Sequence, residues 1–175
     1  GRSNFNGAIG NWDTSSVTTM SEMFMAAHSF NQDIGLWEVG QVTSMSGMFL
    51  SASAFDQNIS SWDTSNVESA WMMFMKAYSF NRDLSAWNVG AVTNFGGIFD
   101  NNASGAPMAI LGSGGAANRV AIHVAWSSYP NWTYQWGSVT FQPADKAALV
   151  TAVQMWSSSN AATQATALAT YGEIN

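Results

Sequence analysis

Cysteine is absent from this 175-residue chain, which excludes a disulfide framework and any cysteine-based zinc site. Charge is scarce. Asp, Glu, Lys and Arg together make up 9%, against about 25% in an ordinary soluble domain. The five basic residues (Arg2, Lys76, Arg82, Arg119 and Lys146) stand singly against eleven acidic ones, for a net charge of −6. They cannot form a surface that tracks phosphates, so no nucleic-acid partner is expected. No apolar run reaches the length of about 18 residues that a membrane span needs. Nucleophile elbows, H-E-x-x-H metal motifs and phosphate-binding glycine loops are missing too. The two histidines, His28 and His123, occupy unrelated positions. No enzyme activity is expected.

What the chain has in abundance is apolar: 47% hydrophobic residues, with 9 Trp, 10 Phe and 10 Met. These recur at a period of 25 residues. Four segments starting at Phe5, Phe30, Phe55 and Phe80 align without a gap. Behind each Phe come Ile9, Ile34, Ile59 and Leu84, then Trp12, Trp37, Trp62 and Trp87, then Val17, Val42, Val67 and Val92. Met23, Met48, Met73 and Ile98 precede an unbroken column of Phe24, Phe49, Phe74 and Phe99. A period of this length marks one supersecondary unit per repeat, stacked to bury faces that a single unit cannot bury. The spacing predicts a short strand over 32–37, a polar turn, and a short helix carrying Met45, Met48 and Phe49 on one face. The expected fold is therefore an α/β repeat solenoid, leucine-rich-repeat-like, with one strand and one helix per coil.

The motif F-N-x-D-I-x-x-W-D-T-S-x-V-T-x-M-S-x-M-F resembles the BspA-like leucine-rich-repeat surface proteins. Residues 5–104 carry the resemblance. Ala70 and Phe95 depart from it by replacing the Met of V-T-x-M, and Glu68 replaces its Thr. The resemblance implies an extracellular or cell-surface location and a role in adhesion and protein contact.

Three regions are expected: a four-coil solenoid over 1–104, a Gly-rich loop and β-hairpin cap over 105–142, and a helical linker over 143–175. Residues 119–126 alternate, with Val120, Ile122, Val124 and Trp126 on one side, as a half-buried strand does. Residues 133–141 read as its partner, and 143–156 and 161–170 as helices. The sequence around Ile174 resembles the start of a new unit and Gly1 to Asn4 the tail of an earlier one, so the chain reads as a segment of a longer array.

Several candidate sites follow. The Trp column reads as core before it reads as a sugar-stacking ladder. Asp33, Asn58 and Asp83 align, as do Asp13, Glu38, Asp63 and Asn88. Such oxygen ladders suit calcium but also satisfy local turn amides, so no cofactor is expected beyond a calcium alternative. With the small residues Gly35, Ser60 and Ser85, the residues Asp33, Asn58 and Asp83 outline a smooth face for self-association. Partners are then other copies or neighbouring repeat units, or surface proteins and glycans. Asn58, Asn102 and Asn131 head glycosylation sequons. Trp126, Tyr129, Trp132 and Trp136 are the aromatics of a rival, lectin-like reading. An ice-binding role for Thr18, Thr43 and Thr93 is interrupted by Glu68.

Overall fold

The computed structural model describes residues 2–100 and 115–132. The chain divides into two compact units, Gly1–Ser138 and Val139–Asn175, and every described residue lies in the first. The elements expected at 133–141, 143–156 and 161–170 fall outside the described residues.

The four repeats do stack, but not from the expected elements. The α/β leucine-rich-repeat-like solenoid is overturned. Among the described residues the only helices are a 3-10 turn at Arg2–Asn4 and one α-helix, α1, at Gly115–Trp126. There is no sheet among them. Neighbouring units meet in isolated parallel bridges, Thr19 to Ser44, Ser44 to Ser69 and Ser69 to Asn94.

The reason lies in the backbone. Glu22, Gly47, Met72 and Gly97 share one repeat position and have φ of 57°, 60°, 53° and 65°. Ala26, Ser51 and Lys76 share another, at 58°, 60° and 60°. A left-handed residue interrupts a helix and a strand alike. The spacing of Met45, Met48 and Phe49 imitates a helix face because the segment is a run of tight turns. Met23, Met25 and Ala27 donate their N–H groups back to the carbonyls of Met20, Glu22 and Phe24 at 3.0–3.3 Å.

The intervening amides point to the next unit. Met20, Glu22, Phe24 and Ala26 donate to the carbonyls of Ser44, Ser46, Met48 and Leu50 at 2.7–2.9 Å. The pattern repeats from Met45, Gly47, Phe49 and Ser51 to the third unit, and from Ala70, Met72, Phe74 and Lys76 to the fourth. Backbone donors in this segment thus find acceptors without sheet or helix. Each non-glycine left-handed residue costs about 1–2 kcal/mol, which the bonds and the ring burial behind them offset.

That burial is columnar. Phe30, Phe55 and Phe80 stack at centroid separations of 5.8–5.9 Å, and Phe24, Phe49, Phe74 and Phe99 at 5.5–5.7 Å. The two columns touch, with Phe24–Phe30 and Phe49–Phe55 both 3.9 Å apart. Ile34, Ile59 and Leu84 are fully enclosed beside them. Trp37, Trp62 and Trp87 are buried as expected of a core column, and their polar edges are used. Each indole N–H donates to the isoleucine carbonyl of the unit before, Ile9, Ile34 or Ile59, at 2.9–3.2 Å.

A ladder of side-chain amides runs alongside. The N–H groups of Asn31, Asp56 and Asn81 donate to the side-chain oxygens of Asn6, Asn31 and Asp56, each at 2.9 Å. Gln57 adds bonds from its amide to Asn31 O at 3.0 Å and Oδ1 at 2.8 Å.

Residues 119–126 correct a second expectation: they are helix α1, not a strand. The alternation of Val120, Ile122, Val124 and Trp126 is ambiguous, because Asn118, Ile122 and Trp126 also fall four apart on one helix face. That face meets the fourth unit. Asn118 Nδ2 donates to Asn81 Oδ1 at 3.0 Å and to Asn81 O at 3.2 Å. Ile122 and Trp126 are buried, and Trp126 stacks on Trp87 at 6.3 Å and Phe99 at 6.5 Å. The following turn brings Trp132 edge-on to Phe95 and Trp126, both at 5.1 Å.

Candidate interaction surface

The aligned acidic face is built from turns. Oδ1 of Asp33, Asn58 and Asp83 accepts the N–H two residues on, from Gly35 at 2.9 Å, Ser60 at 3.1 Å and Ser85 at 2.8 Å. Asp13, Asp63 and Asn88 do the same for Ser15, Ser65 and Gly90. The Ser15 hydroxyl, and after it the Ser15 N–H, holds the Asp13 carboxyl below the ordinary carboxylate range. Ser65 acts likewise on Asp63. These oxygens therefore serve local backbone, the use that competes with a calcium ladder. Among the described residues no three metal-ligating side chains come together.

The glycines of this face have a packing cause. A Cβ at Gly35 would stand 2.8 Å from Asn58 O, and one at Gly10 would stand 2.7 Å from Asp33 O. The next unit approaches too closely for a side chain at either place. Asp33, Asn58 and Asp83 are exposed, while Gly35, Ser60 and Ser85 are half-buried.

The aromatics proposed for a ligand do not form an open platform. Trp126 is 0% and Trp132 7% exposed, because both close the end of the stack. Tyr129 is half-buried, and Trp136 lies outside the described residues. Trp132 donates its indole N–H to His123 Nδ1 at 3.3 Å, and burial pushes the His123 imidazole below its ordinary value. Of the sequon asparagines, Asn58 and Asn131 are exposed and Asn102 lies outside the described residues. Asn131 also donates from Nδ2 to Val92 O at 3.1 Å, and Asn58 Oδ1 accepts the Ser60 hydroxyl at 2.8 Å.

The surface that composition did not single out is the N-terminal end of the stack. Trp12 is 53% exposed and Phe5 38%, whereas Trp37 and Phe30, next in the same columns, are 4% and 0%. Among the described residues Phe5 stacks only inward, on Phe30 at 5.8 Å and Phe24 at 6.4 Å. Trp12 lies parallel to Trp37 at 6.3 Å. The signal was present in the sequence: the first member of every column has a neighbour on one side only. A second feature missed was the Asn6, Asn31, Asp56, Asn81 ladder, which follows each Phe of the first column. A third is a hydroxyl chain on the exposed bridge side, where Ser21 meets Ser44 and Ser46 meets Ser69, both at 2.8 Å.

Among the described residues no helix is long and apolar enough to cross a membrane. A family model described as "Mycoplasma protein of unknown function, DUF285" matches residues 1–108. No curated protein matches the chain, and no solved structure does.

Proposed function

We propose, from the fact that this chain belongs to the DUF285 family, that it is a non-enzymatic repeat protein of the cell surface that acts by binding. One observation carries the reading. The polar side chains at repeated positions hold the units together, as the Asn31 ladder, the Asp33 turn and the Trp37 indole do. They are engaged in structure rather than gathered around a reacting centre. What such a surface offers a partner is shape, ring faces and backbone groups.

The likeness of its motif to the BspA-like surface proteins supports an extracellular place and an adhesive role. Other copies, neighbouring repeat units, or surface proteins and glycans are its partners in this reading. The lectin-like alternative loses ground with the enclosure of Trp126 and Trp132. The test is immunolabelling of intact, unpermeabilised source cells, followed by mild surface proteolysis. Labelling that the protease removes supports the reading, and labelling only after permeabilisation overturns it.

A further inference from the structure

The first unit presents half of an interface that the molecule completes three times elsewhere. In the second unit, the carbonyls of Ser44, Ser46, Met48 and Leu50 each accept an N–H from the unit before. The corresponding carbonyls of the first unit are those of Thr19, Ser21, Met23 and Met25. None of the four accepts a hydrogen bond from the described residues. The indoles of Trp37, Trp62 and Trp87 each donate to an isoleucine carbonyl one unit back. Trp12 holds the same repeat position, and its indole has no acceptor among the described residues. The exposed faces of Phe5 and Trp12 lie on this same side.

The chain entering the unit already follows the repeat path. Ser29 N donates to Ser3 O at 3.1 Å, as Ala54 N does to His28 O and Ser79 N to Ser53 O. The far end of the stack, by contrast, is closed by α1, which imitates a further unit. Asn118 bonds Asn81 as Gln57 bonds Asn31. Trp126 lies over Trp87 at the spacing of the Trp column. The imitation is incomplete, because the buried Trp126 Nε1 has no hydrogen-bond partner.

We infer that the N-terminal face of the first unit is a docking surface for one further unit of the same 25-residue pattern, entering through residues 2–4. The chemistry selects that occupant. It must donate from alternate backbone N–H groups to four carbonyls, accept one indole N–H, and lay a Phe and a Trp on Phe5 and Trp12. A second copy does not meet these terms. Face to face, two such ends would set carbonyl against carbonyl, and the complementary end of a copy is covered by α1. The inference is independent of where the protein acts in the cell.

The experiment inserts a second copy of residues 30–54 between Asn4 and Phe5 of the full chain, which preserves the period at both junctions. A parallel insert uses residues 55–79, and a control uses a scrambled 25-residue segment. Docking raises Tm by several degrees and slows exchange of the Trp12 indole proton, assigned with Trp12→Phe, at least tenfold. The scrambled insert moves neither. If both repeat inserts leave Tm and the Trp12 proton unchanged, the inference is overturned. It is also overturned if the unmodified chain sediments as a dimer with its Trp12 proton already protected, which would give the face to a second copy.

Discussion

Replacing Phe55 and replacing Phe5 by alanine removes the same ring from the same column, yet the two changes should differ sharply. Phe55 is fully buried, with ring centroids of Phe49 at 3.9 Å, Phe80 at 5.8 Å and Phe30 at 5.9 Å. It borders units on both sides. Truncation of such a residue costs about 3–5 kcal/mol, part from lost transfer and part from the cavity left in a close-packed core. Phe5 is 38% exposed and stacks on one side only. At about 25 cal/mol per Å² of apolar area, and with no enclosed cavity to leave, its loss costs about 1–2 kcal/mol.

In a stack, stability is approximately a sum of unit terms and nearest-neighbour interface terms. The central variant weakens two interfaces and the terminal one weakens a single interface, which is why the difference should be about 2 kcal/mol or more. Urea unfolding followed by tryptophan fluorescence reads it as a midpoint shift at constant slope. Equal midpoint shifts for the two variants would refute the reasoning, because ring burial between units would then not be what holds the stack.

Three further outcomes are expected. Gly35→Ala places a methyl group 2.8 Å from Asn58 O and should destabilise by about 1–3 kcal/mol, while Ser60→Ala at the same repeat position costs under about 1 kcal/mol in the same urea assay. Below pH about 6.5 the chain should lose stability, because burial depresses the folded-state pKa of His123 and the unfolded chain takes up the proton first. Stability from this group is full above that pH and falls as pH drops through the folded value. A His123→Phe variant should lack this slope, leaving the acid loss below pH about 4 that Asp13 and Asp63 contribute. The double change Asp56→Asn with Arg82→Gln should alter stability by less than about 1 kcal/mol and remove any salt dependence of that contact, as melting at low and high salt would show.

The repeat, its columns and the buried state of Trp37, Trp62 and Trp87 were legible because stacking demands the same side chain at the same place in each unit. The backbone was not. Met45, Met48 and Phe49 have helix spacing, but spacing records which side chains share a face and not the sign of φ. At the two left-handed positions the residues include Glu22, Met72, Ala26 and Lys76, none of which advertises that conformation. Glycine appears there only as Gly47 and Gly97, too few to read as a turn signature. Residues 119–126 are ambiguous for a related reason: the four-member alternation of Val120, Ile122, Val124 and Trp126 also contains pairs four apart. The open end was legible in principle, since the edge of a periodic pattern is an edge of the stack, whereas the enclosure of Trp126 depends on α1 folding onto the fourth unit.

The scarcity of charge now has a cause within the stack. Bonds between units run between equivalent or neighbouring repeat positions, as from Asn31 to Asn6 and from Met20 to Ser44, so a charged side chain in a bonded ladder would stand beside its own copy at a spacing of about 5 Å, repelling it. Neutral amides avoid this and still both donate and accept. The ladder of Asn6, Asn31, Asp56 and Asn81 contains one carboxylate, and the chain answers it locally. Gln32 and Gln57 reach back to the ladder from the next unit, but the residue that faces Asp56 at that repeat position is Arg82. Its Nε donates to Asp56 Oδ1 at 3.0 Å and its Nη2 to Asp56 Oδ2 at 2.8 Å, and both also bond Asp56 O. Arg82 thus does what Gln57 does for Asn31 and neutralises the charge as well. This is the one salt bridge among the described residues. In the ladder of Asn6, Asn31, Asp56 and Asn81, charge enters where its counter-ion enters with it.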